Sequence, residues 1–125
     1  MKIEEFRKRR RKPRNEEHNL QSLCVAWFHA AYPSVVIFAI PNGSKRDAVT
    51  GAILKAEGVL AGVADLFISK SNRFYHGFYI EMKTPKGTQQ ESQKEFMNKV
   101  RNDGYKYELV RTYEDFVEQV KNYLE

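Results

Sequence analysis

The chain has 125 residues, a formal net charge of +5 and 30% charged residues. A chain of this length forms one domain and buries enough surface to fold without a disulfide or a metal staple. Its single cysteine, Cys24, excludes an intramolecular disulfide and a cysteine-rich zinc site. The sequence has neither an apolar run long enough to span a membrane nor the apolar stretch of a signal peptide. The composition therefore predicts a soluble cytoplasmic protein with no membrane partner.

Positive charge is concentrated at the N-terminus. Residues 1–14 contain eight Lys or Arg and two Glu, a net charge of +6, whereas the other 111 residues carry thirteen Lys or Arg and fourteen Asp or Glu, a net charge of −1. Such a block repels itself and binds polyanions, because each neutralised phosphate releases condensed counterions. The sequence predicts a flexible basic arm at 1–14, in which Arg9, Arg10 and Arg11 contact nucleic acid, joined to one domain at 15–125. A solvated tail or a localisation signal is the alternative.

The first half of the domain predicts helix, strand and helix. Apolar residues recur at helical spacing over 16–31 and predict the first helix. The apolar, β-branched run at 35–40 predicts a strand that is covered on both faces, and the turn residues at 41–43 then break the chain. A second helix is expected at about 45–57, ending at Gly58.

Two strands around a polar loop predict a β-hairpin. The strands cover 64–69 and 78–83, and the second alternates apolar and polar residues. If the hairpin is symmetric about Arg73, Asp65 lies opposite Glu81, because each is eight residues from position 73. The two carboxylates are then expected on one face of the sheet, with the apolar residues of both strands on the other.

The last part of the chain predicts helix, strand and helix. We expect an amphipathic helix at about 90–103, a strand at 105–110 and a final helix beginning after Thr112, which resembles a capping-box residue. The complete order is α-β-α-β-β-α-β-α. This order is typical of an α/β architecture in which helices flank a mixed sheet.

The predicted pairing of Asp65 and Glu81 indicates a cation site. Opposed carboxylates destabilise a sheet unless positive charge compensates them, and Mg²⁺ binds carboxylate oxygens while keeping several waters. Lys83 projects from the same predicted face, where an ammonium is suited to orient a water or to stabilise charge on a transferring phosphate. The alternative is an exposed surface of alternating charge in which Lys83 simply pairs with Glu81.

A polar segment between the first strand and the second helix offers a phosphate site. Asn42, Ser44, Lys45 and Arg46 lead into the predicted helix, so backbone amides and two cations are available to nucleic-acid phosphates. Lys86 is a weaker candidate for the same role. Ordinary turn chemistry is the alternative interpretation.

The ordered motifs resemble the VRR-NUC family of the PD-(D/E)XK nuclease superfamily, and in particular its minimal stand-alone members of viral or phage type. The family's motifs are an early Glu, an Asn-Gly pair, a G-x-P-D-L segment, E-x-K and a Gln on the following helix. They correspond here to Glu17, Asn42-Gly43, Gly62 to Leu66, Glu81-Met82-Lys83 and Gln93. The resemblance spans about residues 16–112. It departs from the family at Ala64, where Pro is usual, and this change removes no ligand.

The resemblance implies a restriction-endonuclease-like fold and the hydrolysis of DNA phosphodiester bonds to leave a 5′-phosphate. It also implies that Asp65, Glu81 and the backbone carbonyl of Met82 bind Mg²⁺, which Mn²⁺ is expected to replace. Glu17 would complete or support that site from the first helix. Its alternative role is to favour the positive end of the helix.

The same resemblance assigns Lys83 to positioning the attacking water and Gln93 to holding that water or Lys83. Gln93 also lies on the inward stripe of its predicted helix, where a polar side chain needs a partner, although a local helix cap is the alternative. The implied partners are branched DNA or a four-way junction and a second copy of the chain, with no nucleotide cofactor. The location would be the host-cell cytoplasm if a phage encodes the chain. A non-catalytic nucleic-acid-binding accessory protein is the alternative function.

Overall fold

The computed structural model describes residues 16–41 and 48–125. The basic arm at 1–14 lies outside this part of the chain, and so do Asn42, Ser44, Lys45 and Arg46. The described residues form eight elements in the predicted order. These are α1 (Glu16–Ala31), β1 (Ile37–Ala39), α2 (Ala48–Ala56), β2 (Leu66–Ile68), β3 (Phe78–Met82), α3 (Glu91–Asn102), β4 (Lys106–Val110) and α4 (Tyr113–Leu124).

The strands form one mixed sheet in the order β1-β2-β3-β4. β2 pairs antiparallel with β1 and β3, whereas β4 runs parallel to β3 and is reached through the crossover helix α3. Leu66 pairs with Ile80 and Ile68 with Phe78, so the register of the hairpin is symmetric about Arg73. The predicted hairpin register is therefore confirmed.

One side of the sheet, called the core face below, carries the apolar core. The side chains that β2 and β3 contribute to it are almost fully buried: Leu66, Ile68, Phe78, Ile80 and Met82. Helices α1 and α4 cover this face and supply buried side chains of their own: Cys24, Phe28, Phe116, Val120 and Tyr123. Because successive strand residues point to opposite sides, the residues between these apolar positions face away from the core.

The opposite side, called the site face below, carries aromatic and charged residues under α3. Tyr79 packs against Phe67 and Phe96, with ring centroids 4.5 Å and 5.2 Å away, and Phe96 belongs to α3. The parallel register places Tyr107 of β4 beside Tyr79, and the Tyr107 ring also meets Phe96. Glu81 shares this face because it lies two residues after Tyr79 on β3.

The first strand is shorter in the structure than the range 35–40 that the sequence predicts. Pairing covers only Ile37–Ala39, and Phe38 keeps 48% of its surface exposed, so the expectation of a strand covered on both faces is wrong. β1 is one of the two outer strands of the sheet, and within the described part of the chain it pairs only with β2. An apolar, β-branched run has the same appearance whether one or both of its faces are buried, and only the packing of the neighbouring elements decides which.

The ends of the helices follow local signals. Gly58 adopts φ +101° just beyond α2, as expected for a residue that ends a helix. The Thr112 hydroxyl accepts a hydrogen bond from the Asp115 backbone N–H at 3.1 Å, which confirms the predicted cap of α4. Among the described residues, no helix is both long enough and apolar enough to cross a membrane.

Candidate active site

Asp65 lies immediately before β2, where the ladder with β3 ends. The last ladder pair is Leu66–Ile80, so Asp65 and Glu81 are not directly paired, contrary to the expectation. The Asp65 backbone N–H instead donates to the Ile80 carbonyl at 3.1 Å, and its Oδ2 accepts from the Met82 N–H at 2.7 Å. A side-chain oxygen thus continues the hydrogen bonding of the sheet and holds the carboxyl group against the end of β3.

Gly62 allows the segment that carries Asp65 to pack directly on α3. Its φ is +89°, and a Cβ atom built at this position would lie 2.4 Å from the Ser92 carbonyl oxygen. Glycine is required both by the left-handed backbone and by this contact with the first turn of α3. The glycine of the sequence motif therefore has a packing role, which is to fix the approach to Asp65.

Glu81 is a completely buried carboxylate whose two oxygens have different surroundings. Its exposed fraction is 0%. Oε1 accepts a hydrogen bond from Gln89 Nε2 at 3.1 Å and another from the Tyr107 hydroxyl. Among the described residues, Oε2 has no hydrogen-bond partner, and Lys83 Nζ lies 3.6 Å from it. A buried oxygen left in this way is costly, so its position favours the binding of a further positive group.

Negative charge accumulates around Asp65. Burial raises the pKa of Asp65 above its ordinary value, and the hydrogen bond from the Met82 N–H opposes this rise. The carboxylates of Glu17 and Glu81 raise the same pKa further, whereas Lys83 lowers it. Glu17 of α1 therefore lies within electrostatic reach of Asp65, although its own side chain is exposed.

Hydrogen bonds from the end of β4 fix Lys83 and the turn that follows it. Lys83 is only 8% exposed, and its backbone N–H donates a hydrogen bond to the Val110 carbonyl at 2.9 Å, beyond the end of β3. The following turn is fixed by Arg111, whose Nη1 donates to the carbonyls of Thr84 at 2.8 Å and Gly87 at 2.7 Å. Arg111 thus stabilises the turn between Lys83 and the loop that carries Gln89. Lys86 is exposed on this turn.

The polar groups around Asp65 include oxygen donors of the kind that Mg²⁺ binds. Ile80 directs its carbonyl towards the Asp65 segment, and Met82, two residues further along β3, directs its backbone to the same side. Two carboxylates and a carbonyl oxygen are ligands that Mg²⁺ uses while keeping several waters. Within residues 16–41 and 48–125, no three His, Cys, Asp or Glu side chains are grouped closely enough to enclose a metal ion by themselves.

Gln93 lies in the first turn of α3, inside the predicted helix. Its Oε1 accepts a hydrogen bond from the Gln90 backbone N–H at 2.8 Å at the start of α3, as in a capping box. The glutamine that reaches Glu81 is Gln89, which precedes the helix. The local cap that the sequence offered as the alternative for Gln93 is therefore present, and its role in holding the attacking water or Lys83 stays a prediction.

Two polar partners of Glu81 were missed by sequence reasoning. Gln89 lies in an irregular stretch, so no helical or strand periodicity places its side chain. Tyr107 alternates like an ordinary strand residue, and its hydroxyl reaches Glu81 only because β3 and β4 pair in one particular parallel register. The one available signal was the polar end of the Tyr107 ring, since a buried tyrosine hydroxyl needs a partner.

Comparison with known proteins identifies one family. A model described as the VRR-NUC domain matches residues 4–113. The fold is similar to that of a solved structure named "VRR_NUC domain protein", with a TM-score of 0.73, 23% sequence identity and coverage of 86% of this chain and 87% of that chain. No curated protein matches the chain.

Proposed function

The chain belongs to the VRR-NUC domain family, which is a family of nuclease type, and we propose that it is a Mg²⁺-dependent DNA endonuclease. The proposed active site consists of Asp65, Glu81 and Lys83. The single observation that carries this proposal is the buried Glu81 carboxylate, because one oxygen is fixed by two donors while the other faces Lys83 and accepts no hydrogen bond from any described residue.

The metal would be held where the two carboxylates converge. Asp65, Glu81 and the Met82 carbonyl are the proposed ligands, and Glu17 adds negative charge from α1. When bound, Mg²⁺ stabilises negative charge on a phosphate and favours the ionisation of water. Mn²⁺ accepts the same oxygen donors and is expected to replace it.

Besides the proposed metal ion, the site contains a positively charged side chain next to Glu81, that of Lys83. Its ammonium is nearly buried and lies beside Glu81 Oε2, in surroundings where electrostatic interactions are stronger than in water. We assign Lys83 to orienting the attacking water and donating a hydrogen bond to the scissile phosphate. The water oxygen bonds to phosphorus and releases a proton to solvent while the bond from phosphorus to O3′ breaks, and the leaving O3′ takes up a proton, so the products are a 5′-phosphate and a 3′-hydroxyl.

Tyr107 and Gln89 act on the reaction through Glu81. Both donate to Oε1, so they fix the carboxylate plane and leave Oε2 directed at the site. The Tyr107 ring is 1% exposed and packs against Phe96 of α3, which limits its rotation. Groups that orient a metal ligand in this way commonly alter metal affinity when they are removed.

The proposed substrate is branched DNA, and the proposed assembly is a homodimer. A single small domain has little surface for reading a long base sequence, so selectivity is expected to depend on DNA shape. Cutting both strands of a symmetric four-way junction requires two sites related by a twofold axis. The mass of the protein in solution, measured by light scattering with and without junction DNA, tests the assembly.

Cleavage assays test the nuclease. Asp65→Ala, Glu81→Ala and Lys83→Ala should each abolish cutting of labelled duplex, flap, splayed and four-way DNA in Mg²⁺, with DNA binding largely kept. Glu118→Gln, which changes an exposed carboxylate on α4, is the matched control and should cut like the wild type. Full cleavage in EDTA would contradict the metal mechanism. Tight DNA binding with no cleavage in any metal would favour the accessory protein.

A further inference from the structure

The loop between β2 and β3, residues 69–77, displays aromatic side chains at the surface. Phe74 keeps 76% of its surface exposed and Tyr75 keeps 38%. Apolar rings in solvent cost free energy, and Phe74 is the more exposed of these two neighbours. We call this segment the aromatic loop.

Hydrogen bonds fix the backbone of the aromatic loop. Asn72 Oδ1 accepts from the backbone N–H groups of Phe74 at 2.9 Å and Tyr75 at 2.8 Å. Asn72 Nδ2 donates to the Tyr123 carbonyl at 3.0 Å, and the Tyr123 hydroxyl donates to the Lys70 carbonyl. The exposed ring of Phe74 is thus carried by a loop that is tied to α4, so its position is set in advance of any partner.

The far end of the same loop is fixed to the turn before β4. His76 donates its backbone N–H to the Gly104 carbonyl at 2.9 Å. Gly104 has φ +90°, and a Cβ atom there would lie 2.8 Å from the His76 ring. Both ends of the aromatic loop therefore pack closely on the domain while its tip points to solvent.

The charge around the exposed rings is positive. The Arg73 guanidinium carbon lies 5.6 Å from the centre of the Phe74 ring, and Lys106 Nζ lies 6.0 Å from that of Tyr75. The stretch from residue 69 to residue 79 contains Lys70 and Arg73 and no Asp or Glu. An exposed ring beside cations matches an unpaired nucleotide, whose base stacks on the ring and whose phosphate pairs with the cation.

The position of the loop suits a second contact on the same DNA. It joins the ends of β2 and β3 that lie away from Asp65 and Lys83, so the length of β3 separates it from the proposed active site. Five strand residues at a rise of about 3.3 Å span about 15 Å. That length corresponds to about four or five nucleotides at a rise of about 3.4 Å each.

We propose that the aromatic loop binds an unpaired nucleotide of a DNA substrate, with the base stacked on Phe74 and the phosphate paired with Arg73. DNA as the partner rests on the proposed function. The new element is a place where single-stranded character is read, about 15 Å along the sheet from the cutting site. Such a contact would favour DNA with a gap or a splayed arm over continuous duplex.

The test measures binding in EDTA, so that its result does not depend on cleavage. Fluorescence anisotropy compares a continuous duplex with the same duplex carrying a short single-stranded gap that contains 2-aminopurine. Phe74→Ala should weaken binding of the gapped DNA about tenfold and of the duplex less than about twofold. In the wild type the 2-aminopurine emission should be quenched by stacking, and in Phe74→Ala the quenching should be lost.

Two further variants complete the experiment. Arg73→Ala should also weaken binding of the gapped DNA and should reduce the dependence of affinity on salt. Leu23→Ala removes an apolar side chain of α1 with 55% exposure and should bind like the wild type. Equal affinity of wild type and Phe74→Ala for the gapped DNA would overturn the proposal, and so would a lower oligomeric mass of Phe74→Ala. If the wild type binds the gapped DNA in this way but does not cleave DNA in Mg²⁺, the proposed nuclease activity is contradicted and this contact is not.

Discussion

The two faces of the sheet differ in what their buried residues do. Ile80 and Glu81 are neighbours on β3 and are both 0% exposed, yet Ile80 packs into the apolar core under α1 and α4 while Glu81 lies under α3. Burial of Ile80 contributes about 1.5–3 kcal/mol to stability. Burial of an ionised carboxylate has the opposite sign unless partners compensate it.

This difference indicates a division of labour between the two faces. The core face carries buried apolar side chains packed under α1 and α4, so it stabilises the fold. Among the described residues, the site face keeps a buried carboxylate oxygen that accepts no hydrogen bond and lies next to an ammonium. Such an arrangement is expected where function has been favoured over stability. Single substitutions on either side of β3 can separate the two roles.

The largest expected effect is that of Glu81→Gln on cleavage. The substitution keeps the shape of the side chain and an oxygen that accepts from Tyr107, but it removes the charge that the proposed metal requires. Cleavage should be abolished, while the free energy of unfolding should fall less than on truncation of a core side chain, because removal of the buried Glu81 charge offsets the loss of the charge that faces Lys83. Cleavage of labelled DNA and urea unfolding measure the two quantities. A large loss of stability would mean that Glu81 serves the core and not the site.

Ile80→Ala should have the opposite profile. Removing a buried Ile side chain creates a cavity in the core face, and the free energy of unfolding should fall by about 2–5 kcal/mol. At a temperature where the variant remains folded, its cleavage rate should stay near that of the wild type. Urea unfolding followed by circular dichroism, together with cleavage at low temperature, checks both parts. A loss of cleavage in fully folded Ile80→Ala would show that the faces are coupled.

Tyr107→Phe tests how the site face orients Glu81. The ring and its contact with Phe96 remain, but the hydroxyl that donates to Oε1 is lost, so the metal concentration for half-maximal activity should rise about 10–100-fold. Binding of Mn²⁺ to the DNA-free protein, followed by electron paramagnetic resonance, should weaken to the same degree. Tyr105→Phe, whose ring packs on Tyr79 and His76, is the control. Unchanged Mn²⁺ affinity would remove Tyr107 from its proposed role.

The smallest effect concerns Cys24 in the core face. Burial raises the pKa of its thiol from 9.0 to about 12, with Glu114 adding to the rise. The folded state therefore keeps a thiol proton that the unfolded state loses above about pH 9. The contribution of Cys24 to the free energy of unfolding is fully present below that pH and falls as the pH rises towards 12. At about pH 10 the loss should be about 1 kcal/mol relative to Cys24→Ala measured over the same pH range. Parallel pH profiles of the two proteins would contradict it.

Local patterns predicted the order of elements and most of their limits. Helical spacing gave α1 its limits, Thr112 marked the start of α4, and the symmetry of the hairpin about Arg73 matched the observed register. These features depend on residues close together in sequence. The burial of β1 was predicted wrongly because it depends on which elements pack beside that strand, and a short apolar run does not encode them.

The candidate site was predicted less completely than the fold. Alternation along β3 was enough to place Glu81 and Lys83 on one side, and the salt bridge between them agrees. The orientation of Asp65 was not predictable, because its carboxylate turns to the Met82 N–H where the ladder ends. Gln93 and Gln89 could not be told apart, since the local amides of α3 bind the first and only a tertiary contact brings the second to Glu81.

By itself, the sequence determined the resemblance to a nuclease family, the element order and the charged side of β3, because motif spacing and side-chain alternation are properties of neighbouring residues. Only the tertiary structure decided which oxygen of Glu81 is fixed and which is left for a positive partner. That distinction requires Tyr107 from a parallel strand, Gln89 from a loop and α3 packed on Gly62. Contacts between distant segments follow from packing of the whole chain, which no local pattern specifies.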